Sequence, residues 1–199
     1  MKICFITSIF SENDTLPDIP GKFDKVDKYD YFFFSNLDKT KFNTSWDIIQ
    51  LTDLQYKRVI TKSRYPKFMA WKYFKNNDIE YDVIYYCDGF CTPRSNINWD
   101  LLSEFIINSP IGFIQSSHFL EDFCPYNELF RILVNKKDKP ENIKKTELFF
   151  QKKRLPKNSG LFENICFGYS PKNIKTQALL NTFWTFYSQE EYTWRDQPL

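Results

Sequence analysis

The sequence predicts an α/β domain, an open sheet flanked by helices. Three observations carry that prediction. Short runs of β-branched and aromatic residues recur along the 199 residues, several of them stop at small polar or acidic side chains, and segments of helical period lie between them. The length suits one substantial core and is short for two, so a single domain over residues 1–199 is expected. Because the sequence stops at Leu199, two residues past Arg195-Asp196-Gln197, that domain is expected to be cut from a longer polypeptide. A 42% apolar share containing 21 Phe and 12 Tyr predicts a folded chain with an aromatic core.

Lys2 to Ile9 reads as the first strand rather than a signal peptide, being short and without a small-residue cleavage site. Its Thr7-Ser8 pair falls where the strand runs out of the sheet. Ser11 to Lys28, with Pro17, Pro20 and Gly21, is a loop. Tyr29 to Phe34 is a second strand ending in Ser35-Asn36, and a third lies near Trp46 to Leu51. Strands ending in hydroxyl or amide side chains would offer a nucleotide hydrogen bonds, although the same residues favour ordinary turns. Thr61 to Asn76 is a helix starting near Pro66, with Phe68, Met69 or Trp71, and Tyr73 or Phe74 turned inward. Arg64 and Lys67 would then stand at its N-terminal end, where N–H donors and positive dipole suit a diphosphate; the plainer reading is two solvated charges.

The chain is organised around Asp82 to Phe90. Val83, Ile84, Tyr85, Tyr86 and Cys87 form a buried strand that stops at Asp88-Gly89. Ligands of open α/β sheets bind beyond the carboxyl ends of the strands, so Asp88 is placed to meet a metal or a sugar hydroxyl, or else closes a plain turn. A helix from Asn98 to Ile107, capped by Asn96 or Asn98, and a strand from Ile111 to Gln115 follow. His118, the single histidine, is a candidate metal ligand, phosphate donor or local polar partner.

Pro125 to Asn135 begins a helix in which Glu128 and Arg131 can pair. Nine basic residues between Lys136 and Lys157, interleaved with Phe149 and Phe150, raise single-stranded nucleic acid as a partner, but Ile143, Leu148 and Phe149 are spaced as the buried stripe of an amphipathic helix with a solvated basic face. After a turn over Leu155 to Gly160, a strand runs from Ile165 to Tyr169. The last helix, Ile174 to Tyr187, presents Leu179, Leu180, Phe183, Trp184 and Tyr187 to the core. Aromatic residues flank Arg195-Asp196-Gln197, where Asp196 beside a guanidinium stays ionised and can act as a base, or ties down the chain end.

A net charge of +2, from 27 basic and 25 acidic residues, supplies no global field toward nucleic acid or membrane. The five cysteines fit neither zinc-site nor C-x-x-C spacing, and three of them lie in apolar, strand-like runs, which favours reduced, buried thiols in a cytosolic protein. No stretch approaches the roughly 20 apolar residues of a membrane span.

In order along the chain, I-T-S at Ile6 to Ser8, D-Y-F-F-F-S-N at Asp30 to Asn36, S-R-Y-x-K at Ser63 to Lys67, I-Y-Y-C-D-G at Ile84 to Gly89, C-P-Y-N-E at Cys124 to Glu128, G-L-F-E-N at Gly160 to Asn164 and W-R-D-Q at Trp194 to Gln197 resemble the GT-A glycosyltransferases that use nucleotide sugars. More closely, the chain resembles the glycosyltransferase-like family of plant cell-wall proteins and large algal viruses. The resemblance implies a GT-A-like, Rossmann-like fold with a central mixed, mostly parallel sheet. It implies a viral enzyme of glycan synthesis in the cytoplasm of the host, moving a sugar from a nucleoside diphosphate, UDP first among them, to a glycan hydroxyl, with Mn2+ or Mg2+ as cofactor.

Within that resemblance Thr7 and Ser8 contact the nucleotide, Arg64 the diphosphate, and Asp88 the metal or donor sugar; the residue patterns above add Ser35 and Lys67 to the candidate binding residues and His118 to the candidate metal ligands. Asn164 joins the binding residues, while Glu163 and Asp196 supply catalytic carboxylates on the acceptor side. Two positions depart from the family pattern. The D-x-D motif would put a second carboxylate at position 90, which is Phe90, and Trp71 stands where relatives carry histidine. A nucleotidyltransferase is the competing enzyme class, but Ser11-Glu12-Asn13-Asp14 lacks the glycines of a phosphate loop. A non-catalytic glycan- or nucleotide-binding module is the other alternative.

Overall fold

Six strands and five helices make up the computed structural model, which describes residues 1–12, 20–38, 40, 42–118, 124–157 and 159–199. The central part of the predicted loop over Ser11 to Lys28, including Pro17, and residue 158 of the predicted turn lie outside the described residues.

The strands β1 (Ile3–Ser8), β2 (Asp30–Ser35), β3 (Asp47–Gln50), β4 (Val83–Cys87), β5 (Phe113–Ser117) and β6 (Phe162–Tyr169) form one sheet in the order β3-β2-β1-β4-β6-β5. β1 is parallel to β2 and to β4, β2 is parallel to β3, and β6 is antiparallel to β4. The sheet is therefore mixed and mostly parallel. The chain builds outward from β1 to β2 and β3, then returns to lay β4 on the other side of β1. That reversal of strand order lies between β1 and β4, and it leaves a crevice beyond their carboxyl ends.

The chain divides into two compact units, Met1–Ile114 with Ile165–Trp184 and Gln115–Asn164 with Thr185–Leu199. The core of the first follows from register. Phe5 of β1 lies opposite Tyr31 of β2 and Tyr85 of β4, so the three rings share one face of the sheet and stack at 5.2 Å on either side of Phe5. Trp99 and Tyr29 close on Phe5 edge-on at 4.9 and 5.7 Å. Each such pair adds about 0.5–1.5 kcal/mol beyond its burial. Gly168, opposite Tyr85, leaves room for this ladder, since a Cβ there would stand 2.5 Å from Tyr85 Cε1.

The helix α1 (Val59–Asn76) packs Phe74 against Phe32 and Phe34, residues on the other face. It begins seven residues before Pro66, which is thus inside the helix and not at its start. The extra turns are fastened from outside: Ser8 Oγ donates to the Ser63 carbonyl at 2.6 Å and Ser63 Oγ to the Ser8 carbonyl at 3.3 Å. Arg64 and Lys67 consequently sit in the second and third turns, beyond the reach of the N-terminal dipole that the sequence suggested. α2 (Trp99–Asn108) is capped by the Asn98 side chain, which accepts from the Leu101 N–H.

In the second unit α3 (Pro125–Val134) and α4 (Pro140–Lys152) bury Leu129, Ile132, Ile143 and Phe150 together. The expected Glu128–Arg131 pair is present at 3.7 Å. The stripe of α4 is Ile143, Thr146 and Phe150, with Leu148 exposed, so it is turned from the expected one; the basic residues lie on the exposed face, as expected. The closing helix α5 (Ile174–Tyr187) buries Leu180, Trp184 and Tyr187 but exposes Leu179. No described helix is long and apolar enough to cross a membrane.

Candidate functional site

Beyond the carboxyl ends of β1 and β4 lies a cleft of ≈ 320 Å3 lined by Ser8, Ile9 and Phe10, by Val59, Ile60, Ser63 and Arg64 of α1, and by Tyr86, Asp88, Gly89 and Phe90. This is the crevice at the reversal of strand order, and its volume is at the low end of small-molecule pockets.

Asp88 stands one residue past β4. Its N–H donates to the Ile165 carbonyl at 2.8 Å and its carbonyl accepts from the Cys91 N–H at 2.8 Å, which holds the carboxylate at the mouth of a tight turn. Oδ1 accepts from the Tyr86 hydroxyl at 2.6 Å and lies 3.6 Å from Lys67 Nζ. The Lys67 side chain is 1% exposed and that of Asp88 23%. The ammonium also lies over the Tyr86 ring, 4.7 Å from its centroid. A lysine buried to this degree needs such company, because an isolated ammonium out of water is far too costly.

Gly89 is closely packed: a Cβ there would stand 2.4 Å from Ile9 Cδ1, so a side chain at this position would have to displace Ile9. Phe90, next in the turn, is 74% exposed at the lip of the cleft. An aromatic face so placed is a platform for a flat ligand.

The other residues expected at this site divide. Ser8 and Arg64 line the cleft, with the Ser8 hydroxyl committed to α1. Thr7 is fully buried, and its Oγ1 has no hydrogen-bond partner among the described residues. Ser35 is fully buried and its hydroxyl accepts from the Leu37 N–H at 3.2 Å, closing the end of β2. Lys67 stands behind Asp88, buried, rather than in the lining.

Glu163, Asn164, His118 and Asp196 come together in the second unit. His118 is buried, with Nε2 3.2 Å from Glu163 Oε1. Gln197 Nε2 donates to Glu163 Oε2 at 3.4 Å. Asn164 accepts through Oδ1 from Gln115 and donates through Nδ2 to the Asp196 carbonyl at 3.0 Å. Asp196 itself is 5% exposed. A histidine bonded to a carboxylate has the chemistry of a proton acceptor whose ring is held in one orientation.

Asp138 sets this segment and was not singled out by the sequence reading. Its Oδ2 accepts from the Thr193 hydroxyl at 2.7 Å and the Trp194 N–H at 3.0 Å, and its Oδ1 from the Lys139 N–H and the Asn142 side chain. Thr146 Oγ1 accepts from the Thr193 N–H at 2.9 Å. The signal available was an acid two residues before a proline that opens a helix.

A divalent ion fits these residues poorly. No group of three or more His, Cys, Asp or Glu side chains able to hold a metal occurs among the described residues. Among the described residues Asp88 is the one acid lining the cleft, and its charge is already met by Lys67. A doubly charged ion about 6 Å from an ammonium is repelled by about 5–6 kcal/mol at an effective dielectric near 20. His118 Nε2 is turned to Glu163.

A larger cleft, ≈ 780 Å3, opens at the other end of β4 among Trp71, Phe74, Lys75, Tyr81 and Lys172. Two of its polar groups serve the fold, Lys172 pairing with Asp82 at 2.8 Å and the Tyr81 hydroxyl donating to Asp30 at 2.7 Å. The smaller cleft is the better candidate despite its size, because the strand ends and the Asp88–Lys67 pair converge there. No family model matches the chain, and no curated protein is significantly similar to it.

Proposed function

We propose that this protein is a glycosyltransferase that binds a nucleoside diphosphate sugar in the cleft beyond β1 and β4. The observation that carries the reading is the convergence, at a reversal of strand order, of a carboxylate (Asp88), a guanidinium-bearing residue (Arg64) and an exposed ring (Phe90). These are the three chemistries such a donor needs. Asp88 accepts hydrogen bonds from sugar hydroxyls, Arg64 meets phosphate oxygens with a charge that does not titrate, and Phe90 covers a base or sugar ring.

In the transfer, the bond from the anomeric carbon to the phosphate oxygen breaks and the diphosphate leaves with the electron pair. A bond forms from the acceptor oxygen to that carbon, and the acceptor proton is taken up by a base. Arg64 stabilises the negative charge that grows on the leaving group. The donor sugar is a UDP sugar in this reading and the acceptor a glycan hydroxyl.

A binding module without turnover remains the second reading, favoured by Phe90 at the place of a second acid. The experiment is release of UDP from UDP-sugars, of GDP from GDP-sugars and of CMP from CMP-sugars, with and without a glycan acceptor. The transferase reading expects turnover with one donor class and at least about a hundredfold loss in Arg64→Ala. Nucleotide binding with no turnover from any donor would leave the module.

A further inference from the structure

We infer that the cleft binds its nucleotide without a divalent metal, Asp88 acting as an acceptor for a ligand hydroxyl while Arg64 alone meets the phosphate charge. This rests on the donor-site reading above, and it departs from the Mn2+ or Mg2+ that the family resemblance implies.

Three observations lead to it. The negative charge of Asp88 is balanced inside the protein: Lys67 Nζ lies 3.6 Å from Oδ1 with its side chain 1% exposed, and the Tyr86 hydroxyl donates to the same oxygen at 2.6 Å. A cation bound to this carboxylate, through either oxygen, must stand close to an ammonium that solvent hardly screens. Second, Phe90 occupies the place of a second carboxylate and points no oxygen at the cleft; its ring is 74% exposed. Third, Arg64 is the cation-bearing residue among the described residues of the cleft lining, and guanidinium geometry matches phosphate oxygens two at a time. A neutralised Asp88 remains a strong hydrogen-bond acceptor for a vicinal diol, which is how carboxylates hold ribose and sugar hydroxyls without a metal.

Lys67 is thus a positioning residue, and its removal has a signature that loss of structure alone lacks. With Lys67→Met the carboxylate is uncompensated, and affinity for UDP becomes dependent on Mn2+.

The test is calorimetric titration of the full chain with UDP and GDP, in EDTA and in Mn2+. The inference expects one nucleotide to bind with affinities within about threefold in the two conditions, and Arg64→Ala to weaken it about tenfold or more in both. Binding seen only with Mn2+, or tightened about tenfold by it, overturns the inference and leaves the donor site standing. No binding of either nucleotide in either condition, by a sample that unfolds cooperatively, overturns the donor site and the inference with it. Should Lys67→Met fail to fold, paramagnetic resonance of Mn2+ with the wild-type chain decides instead. An aquo-Mn2+ signal unchanged by the protein is expected, and a stoichiometric loss of signal contradicts the inference.

Discussion

The Lys67 ammonium stands 3.6 Å from Asp88 Oδ1, a nearly inaccessible cation behind a partly accessible carboxylate. The arrangement makes each member of the pair expensive without the other. Lys67→Met leaves the acid uncompensated, and Asp88→Asn leaves the ammonium without its carboxylate. Each single change is expected to cost about 2–4 kcal/mol, while the double substitution costs less than the sum, because it removes both charges. Urea unfolding of the three variants measures this coupling; additive costs would show that the two groups do not act as a pair.

Thr7 carries a hydroxyl that the fold does not use. Its Oγ1 is buried with no hydrogen-bond partner among the described residues. Thr7→Val preserves shape and removes the unmet group, so stability is expected to be unchanged or to rise by up to about 1–2 kcal/mol. Nucleotide affinity should stay within about twofold, since a fully buried side chain is not within a ligand's reach. A large loss of affinity with unchanged stability would give Thr7 the nucleotide contact that the family resemblance implies.

Phe90 separates function from folding. An exposed ring contributes little to the core, so Phe90→Ala should change stability by less than about 0.5 kcal/mol. Stacking on a base or sugar ring is worth about 1–3 kcal/mol, so affinity should fall roughly five- to hundredfold. Phe90→Tyr keeps the face and should keep the affinity. Equal binding by all three forms would remove the ring from the ligand site.

Parts of this account could be read from the sequence and parts could not, for physical reasons. The runs Ile3-Cys4-Phe5-Ile6 and Val83–Cys87 are continuous without a charged residue because both faces of these central strands are covered, and that pattern marks a strand without any tertiary knowledge. Asp88 was visible as the acid at the end of such a run. Lys67 was not visible as a buried residue, because whether a lysine is buried depends on a partner 21 positions away and not on its neighbours. The start of α1 was misplaced for the same kind of reason. Pro66 is a strong local signal, and the Ser8–Ser63 exchange that holds the earlier turns is a contact between distant segments. In α4 the choice between the Leu148 and Thr146 stripes is a rotation of a helix that periodicity alone leaves open, and Thr146 gains its burial by accepting the Thr193 N–H.

The thiol of Cys166 offers a pH test. The residue is exposed as a whole, but desolvation of its sulfur, with neighbouring Cys91 adding to it, pushes its pKa up to about 12. At about pH 8 such a thiol is roughly one ten-thousandth thiolate, so its alkylation should be slow and rise about tenfold per pH unit through pH 10. The folded pKa is raised above the unfolded value near 8.5, so this group's contribution to stability is full below about 8.5 and falls away as pH rises toward 12. Peptide mass spectrometry after timed alkylation measures the rate; a plateau below about pH 9 would contradict the desolvated thiol.

The location of the ligand site is tested most directly by hydrogen exchange with and without UDP and GDP. The account predicts that one nucleotide slows exchange at Ile9 and Phe10, in the Asp88 to Cys91 turn and in the first turns of α1, leaving the Tyr81 and Lys172 region unchanged. Protection at Lys75, Tyr81 and Lys172 instead would place the ligand in the larger cleft and contradict the assignment, as would no change with either nucleotide.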